Sequence, residues 1–294
     1  MHNAAAEDDQ LIEGAIEEHY YRRGDIDFCF LLNRNHQNLR VFDYRVGNYQ
    51  QKRDFFDRIA RAEGLKKVFT VVEKQDSKSW RSVGFSREGA IPGYFRTADA
   101  YIMSRVYTED GEPIQGGAPK LNAPNINSLP GGVPEKPRSM SVELVNEPER
   151  LAKLAEQATE NALYAPFRRG IFRPDLALKG KIGKRQYWVG AELDTSFGHV
   201  KLDLMTPPQK DTDVGVLAYC LDTLLAELKE QEMASVFSLV AADWDLTSQV
   251  YATCNFKVSA RLTDHYIHRD EYQGVQLWHR RIAASANPRL PSFI

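Results

Sequence analysis

One pattern is written twice in this chain. Residues 65–72 read LKKVFTVV and lead, after a short polar stretch, to Trp80-Arg-Ser-Val-Gly84-Phe85; residues 233–240 read MASVFSLV and lead to Tyr251-Ala-Thr-Cys-Asn255-Phe256. In each copy an amphipathic helix precedes the apolar run, and a further strand-like segment follows the phenylalanine. A repeat of helix, buried strand, aromatic-bearing helix and strand predicts two related α/β modules.

The bulk numbers narrow the partners. With 294 residues and 43% hydrophobic content the chain can bury a substantial core. A net charge of −2 supplies no basic field for a phosphate backbone, which argues against nucleic acid and for small molecules or proteins as partners. No apolar stretch approaches the roughly 20 residues that span a bilayer, and Glu7, Asp8 and Asp9 lack the basic-then-apolar order of a leader. No membrane association and a cytoplasmic location are therefore expected. Cys29, Cys220 and Cys254 are widely spaced in apolar or helical contexts, which predicts buried thiols and neither a disulfide nor a zinc framework.

Residues 26–31 (IDFCFL) and 39–46 (LRVFDYRV) predict paired antiparallel strands. Phe55, Phe56, Ile59 and Ala60 then share one side of a helix that ends at Gly64, where a left-handed stop is cheap. Strand 67–73, a short helix with Trp80, the turn Gly84-Phe85 and a strand at 100–107 complete the first copy. From Thr108 to Arg138 the composition turns to Gly and Pro (GEPIQGGAP, PNINSLPGG, VPEKP), which excludes helix and central strand and predicts a linker. Beyond it come a helix near 147–162, strands at 185–193 and 198–206, and a helix at 214–231 with a stripe of Leu217, Leu221, Leu224, Leu225 and Leu228. Strand 235–241, a helix with Tyr251 and strands near 256–268 and 274–282 follow. The division expected is a helical N-terminal extension over 1–25, a half module over 26–107, a linker over 108–140, a complete domain over 141–284 and a tail over 285–294.

Two strands, a long helix, a buried strand, a short helix bearing an aromatic four residues before Gly-Phe, then a last strand: this order resembles the GNAT acyltransferase fold. The run Gly84-Phe85-Ser-Arg-Glu-Gly-Ala-Ile91-Pro92-Gly93-Tyr94-Phe95, followed by Asp99-Ala100-Tyr101-Ile102-Met103-Ser104-Arg105, is similar to the N-terminal region of β-lysine N-acetyltransferases. The resemblance covers most of 26–107 and, more weakly, 147–283. It implies an α/β (α+β) fold of tandem GNAT-like modules, each a mixed, mostly antiparallel sheet flanked by helices. It also implies acetyl-CoA as co-substrate and the amine of a small molecule, an amino acid such as β-lysine, as acceptor.

Such chemistry needs backbone donors at a helix N-terminus for a pyrophosphate, an acceptor for the ammonium proton and a donor for the departing thiolate. Tyr251 matches the family tyrosine by its spacing to Asn255-Phe256, and the resemblance gives it the donor role; a packing role is the alternative, and Trp80 at the matching place in the first copy is structural. Glu192 and Asp203 are the reachable carboxylates, Asp203 sharing a strand face with Lys201 and Met205, where it meets a cleft or water. The phosphate-loop pattern is best placed on Val214, Gly215 and Val216, with Gln209 and Lys210 nearby. Only Gly215 agrees with it; Leu217 replaces a small residue, and Asp211 and Asp213 stand where a phosphate charge would be repelled. The first copy, opening its helix with Gly47-Asn48-Tyr49-Gln50-Gln51-Lys52, is read as a partner that shapes the second cleft. His265 and His268 are read on a strand, pointing apart, and so do not form a metal site. The basic group Lys179, Lys181, Lys184 and Arg185, with Arg168, Arg169 and Arg173, is read as a solvated loop. The alternative to catalysis is a GNAT-like binding or assembly module without acetyl-CoA, with a protein partner or a second copy of the chain.

Overall fold

A computed structural model describes residues 16–95, 98–114, 126–161, 172–268 and 271–282. In the first copy β1 (Ile16–Arg23), β2 (Ile26–Asn33) and β3 (Asn38–Asp43) form an antiparallel meander. Helix α1 (Tyr49–Glu63) ends at Gly64 in the left-handed conformation and returns the chain to β4 (Lys67–Glu73), parallel to β3. Helix α2 (Ser77–Ser82) carries Trp80, and β5 (Ser86–Phe95) and β6 (Ala98–Val106) close the module. The second copy comprises β7 (Met140–Val145), α3 (Pro148–Asn161), β8 (Leu176–Ile182), β9 (Arg185–Asp194), β10 (His199–Leu204), α4 (Asp211–Glu230), β11 (Ser235–Ala241), α5 (Asp245–Thr253), β12 (Lys257–His268) and β13 (Glu271–Arg281).

All thirteen strands join one mixed sheet in the order β1-β2-β3-β4-β6-β5-β12-β13-β11-β10-β9-β8-β7. The run β1-β2-β3-β4-β6-β5 is matched from the other end by β8-β9-β10-β11-β13-β12, with β7 as an addition to the second module. Within this sheet β3/β4 and β10/β11 are the parallel contacts and the rest are antiparallel. The fold is thus α/β with tandem modules, each a mostly antiparallel sheet flanked by helices.

Strand alternation separates the core into layers. Val68, Val72 and Met103 pack with Phe55, Phe56 and Trp80 of the first module's helices. Val236, Val240, Val200 and Leu202 pack with the leucine stripe of α4 and with Tyr251. The residues between them, Phe69, Ile91, Ile102, Phe237, Leu262 and Leu277, form a cluster on the face turned away from these helices, and both modules share it. Helix α3 packs on that same face of the second module through Leu151 and Leu154 against Ala177, Trp188 and Met205.

Several expectations change. The stretch 1–25 is not a helical extension where it is described: Ile16–Arg23 is strand β1, because Gly24 (φ 57°) turns the chain tightly into β2 and Tyr21 stacks on Phe28 and meets Phe55. Residues 1–15 and the tail 285–294 lie outside the described residues. Lys179, Lys181, Lys184 and Arg185 do not lie in a loop but on the β8/β9 hairpin turned at Gly183 (φ 58°). Arg168 and Arg169 lie outside the described residues. Within the expected linker, residues 126–139 pack on the second module: the Leu129 N–H donates to Thr253 Oγ1 (3.0 Å), and Ile126, Leu129 and Val133 lie against its core. Cys29, Cys220 and Cys254 are free and buried, as expected.

The seam between modules is the contact of β5 with β12, where Gly89 is the register partner of Ala260. A Cβ on Gly89 would lie 2.3 Å from Ala260 Cα and 2.6 Å from Ser259 O, so the backbones meet only because residue 89 has no side chain. A buried ion pair of the first module, between β4 and β5, is hydrogen-bonded across this seam to the main chain of β12. Lys67 Nζ is 2.7 Å from Glu88 Oε2 and donates to Thr263 O (2.7 Å), while the Thr263 N–H donates to Glu88 Oε1 (2.9 Å). Paired buried charges of this kind add little net stability yet are costly to break, so they fix which strands meet.

Two bulges complete the junction. β5/β6 lose register between Ile91 and Phe95, and β12/β13 between Leu262 and Tyr266. Each protruding turn reaches into the opposite module. The Tyr94 carbonyl accepts from His199 Nδ1 (2.8 Å) and its ring stacks on His199 at 4.1 Å. The His265 carbonyl accepts from Asn38 Nδ2 (2.8 Å) and its ring meets Phe69 at 4.9 Å. Gly89→Ala is expected to cost about 1–3 kcal/mol in urea unfolding by overpacking the seam, and Ala260→Gly added to it should recover part of that loss. Wild-type stability in Gly89→Ala would contradict the close approach.

Candidate functional site

β10 and β11 run parallel as neighbours for only three residue pairs, His199↔Ser235, Val200↔Val236 and Lys201↔Phe237, although β10 continues to Leu204 and β11 to Ala241. Past Lys201 and Phe237 the ladder ends, leaving a gap in the pairing where the main-chain groups of the two strands are not bonded to each other. α4 begins just beyond β10 and α5 just beyond β11, so the gap lies between two helix starts. On the face away from these helices it is bordered by Glu192, Lys201 and Asp203. Lys201 is the register partner of Glu192, and Asp203 that of Gly190.

The alternation that places Val200, Leu202 and Leu204 in the core puts Lys201 and Asp203 on the opposite face, as the sequence implies. Asp203 is not turned to open water, however: it is half-buried, and burial raises its carboxyl from 3.8 to about 6, with Lys201 acting in the other direction. Lys201 is buried and pulled below the ordinary ammonium range by that burial, against the opposing charges of Asp203 and Glu192. Its Nζ sits 5.1 Å from the Phe172 ring centroid. Glu192 is half-buried beside it.

Tyr251 approaches from the helix side. It is fully buried, edge-on to Phe256 at 5.2 Å and stacked with Trp278 at 6.4 Å. Its hydroxyl has the Ser238 side chain beside it and makes no hydrogen bond of good geometry among the described residues. Burial first, and the Asp203 charge second, raise its proton affinity well above that of an ordinary tyrosine. Asp203 and Tyr251 lie on opposite faces of the sheet, and the parted strands let the charge of one act on the other.

The start of α4 differs from the expected phosphate loop. The helix begins at Asp211, which places Val214, Gly215 and Val216 in its second turn, where N–H groups already point at carbonyls four residues back. Val214 and Val216 are core side chains, and a Cβ on Gly215 would meet Pro134 Cγ at 3.4 Å, so this glycine accommodates the linker. Leu217 is core as well. The donors left over at a helix start are those of the first turn, and Lys210 at the cap position makes no side-chain cap bond to them. Gln209 and Lys210 are exposed there. Asp213 does not point at a phosphate position: its carboxylate is buried, accepting from Arg185 Nη2 (2.6 Å), Tyr187 Oη (3.1 Å) and the Gln209 N–H (2.9 Å). Asp211 is exposed.

The equivalent place in the first module is filled. Lys52, fully buried in the first turns of α1, donates to both Asp43 carboxylate oxygens (2.8 and 2.6 Å) and to the Arg45 carbonyl. Trp80, fully buried, packs edge-on against Tyr49 (5.4 Å) and Phe85 (4.7 Å). Among the described residues no group of His, Cys, Asp and Glu is arranged to hold a metal ion, and no helix is long and apolar enough to cross a membrane. Sequence patterns did not single out Arg40 or His199 and treated Lys201 only as one of an outward row. A cation inside an apolar strand, as in HVKLDL, was the available signal.

No protein-family model matches the sequence, and none of the curated proteins compared with it matches either. Among solved structures the chain is similar to a candidate acetyltransferase from Salmonella typhimurium solved with its cofactor acetyl-CoA (11% identity, TM-score 0.41, 52% of this chain and 99% of that one). It is also similar to the ribosomal-protein-S18-alanine N-acetyltransferase from Escherichia coli (12%, 0.38, 51% and 97%). A third is a spermidine N-acetyltransferase chimera involving Vibrio cholerae (12%, 0.39, 50% and 99%). Each likeness spans about half of this chain.

Asp213→Ala removes the acceptor shared by Arg185, Tyr187 and the Gln209 N–H, and should destabilise the protein by about 1–3 kcal/mol in urea titration. A change below about 0.5 kcal/mol would show that the start of α4 does not depend on this carboxylate.

Proposed function

We propose that the second module is an acetyl-CoA-dependent N-acetyltransferase acting on a small-molecule amine, working in the cytoplasm. The observation that carries this is the parting of β10 and β11 between two helix starts, with a carboxyl near pH 6 on one side and a protonated phenol on the other. Parted strands expose main-chain donors and acceptors that a pantetheine-like chain can pair with, and a first turn without a side-chain cap suits its phosphates. The buried, reduced cysteines accord with the location.

The residues divide the work as follows. Lys210, the Gln209 side chain and the N–H groups of Asp211 and Thr212 at the start of α4 receive the cofactor phosphates, in place of Val214, Gly215 and Val216. Asp203, aided by Glu192, takes the proton from the acceptor ammonium, whose reference value near 10.4 must fall on entry to a buried site. The nitrogen lone pair then attacks the thioester carbonyl, the carbon–sulfur bond breaks, and the second proton shed by the new amide nitrogen passes to the departing sulfur, which leaves as the thiol. Tyr251, which holds its proton throughout the neutral range, donates a hydrogen bond to the departing sulfur. Acetyl-CoA supplies the activated acyl group; the chain's own residues orient it and move the proton. The sequence similarity to β-lysine N-acetyltransferases favours an amino acid as acceptor.

The second reading, a binding module without acetyl-CoA, draws on the incomplete glycine pattern and on the linker lying over Gly215. Two kinetic signatures separate the readings. Acetyl transfer to a small amine should show kcat/KM rising about tenfold per pH unit up to about pH 6, because Asp203 must be ionised to accept a proton, and Asp203→Asn should abolish that limb. Tyr251→Phe should lower kcat about 10-fold to 100-fold while acetyl-CoA affinity holds. No acetyl-CoA-dependent transfer to any amine by the wild-type protein would favour the binding module.

A further inference from the structure

The two modules differ at their outer edges. In the second, β7 runs antiparallel along β8, with Lys179 of β8 reaching Glu143 of β7 at 3.9 Å. The first module's counterpart of β8 is β1, and no described strand lies along its outer side, so β1 ends the sheet. A strand at a sheet edge turns the N–H and C=O groups of every second residue outward, where another strand can pair with them. Proline, a bulge or a very short strand would close such an edge. β1 is eight residues long, contains no proline and pairs with β2 without a register shift.

The charges of β1 are ordered along the strand. It reads Ile-Glu-Glu-His-Tyr-Tyr-Arg-Arg, with both acids before its centre and both bases after it. His19 stacks on Phe30 (5.1 Å) and Tyr21 on Phe28 (5.2 Å), which sets the odd-numbered residues on the helix face. Glu18, Tyr20 and Arg22 therefore lie on the other face. Two copies of one strand pair antiparallel about a two-fold axis perpendicular to the sheet, which keeps each face and so sets odd against odd and even against even. With the axis at Tyr20, Glu17 meets Arg23, Glu18 meets Arg22, and His19 meets Tyr21 of the second copy. A slip of two residues either way sets Glu18 against Tyr20 or Tyr20 against Arg22, and no acid then faces a base. Within one chain Arg22 reaches Asp27 only at 3.8 Å, and Glu17, though bonded to Arg34 (2.6 Å), keeps 31% of its side chain exposed. Exposed apolar surface gathers at the same end of the sheet. Tyr20 is 75% exposed, and Tyr44 and Val46 are open on the segment after β3, where the Tyr44 N–H donates to Asp27 O (3.1 Å).

We propose that β1 is a homodimer interface, in which two copies of the chain pair edge to edge about Tyr20 and join their sheets into one. The second copy's β1 takes the place beside β1 that β7 takes beside β8. Four ion pairs, two on each face, set the register, and the two Tyr20 rings face one another at the axis on the side away from the helices. Because the same edge serves both copies, the assembly closes at two. The rest of the first module, with β12 and β13, separates β1 from β10 and β11, so this pairing does not reach the gap in the second module. The interface is therefore independent of the acyltransfer reading.

Analytical ultracentrifugation of the full chain at micromolar concentration should give twice the 33.5 kDa of one chain. Arg22→Glu with Arg23→Glu, and separately Glu17→Lys with Glu18→Lys, should each give a monomer, because like charges then stand opposite each other in the paired register. Mixing the two variants should restore a dimer that holds one of each. Circular dichroism checks that both are folded, as expected for exposed charges that add little to the stability of a single chain. If either double variant does not fold, Tyr20→Lys, which sets two like charges at the axis, takes its place and should be monomeric. A wild-type mass other than that of two chains overturns the interface. So does a dimer that survives these substitutions in a folded variant, or a pair of monomeric double variants that do not associate when mixed.

Discussion

Everything in this structure depends on one close approach, the backbone of β5 against that of β12 at Gly89 and Ala260. That contact turns two six- and seven-stranded sheets into a single sheet of thirteen. It also sets the depth to which each module's bulge enters the other, since Gly93 and Asp264 protrude from the two strands that meet there. The Lys67–Glu88 pair and the Thr263 main chain hold the register, because a slipped strand would leave both charges buried without partners. The hydrophobic cluster of Phe69, Phe237 and their neighbours then supplies most of the favourable energy of joining, and the polar contacts decide how the modules join.

The consequence for chemistry is an asymmetry between copies that share a framework. Both keep a parallel pair that diverges, a helix after each strand, and an aromatic five residues before Phe85 or Phe256. In the first, Trp80, Tyr49, and Lys52 with Asp43 fill the space at the helix start. In the second, Tyr251, Asp203, Glu192 and Lys201 border the gap between the strands. A tryptophan offers no hydroxyl, so the replacement of tyrosine by tryptophan separates a packing role from one that can donate to a leaving group.

The repeat itself was legible from residues alone, because an unbroken apolar run and a leucine stripe read the same in any context, and the order of strands, helix, strand and helix followed from it. Strand β5 was hidden by Gly89, Pro92 and Gly93, which look like turn residues but serve a seam and a bulge. The basic hairpin at 179–185 was hidden because charge patterning does not reveal that Arg185 folds back onto Asp213. At the site, alternation correctly placed Lys201 and Asp203 on one face, yet it does not say what covers that face; only the packing of α3 and of the first module's bulge does. The apparent clash of Asp213 with a phosphate likewise came from its position in the chain and vanished once its carboxylate was seen to be occupied.

The central claim is one working cleft in a chain with two modules, and the stoichiometry of acetyl-CoA binding tests it most directly. Isothermal titration of the full chain should find one acetyl-CoA per chain, unaffected by Lys52→Met in the first module. Two bound per chain would contradict the filled first cleft, and none at millimolar concentration would contradict the second.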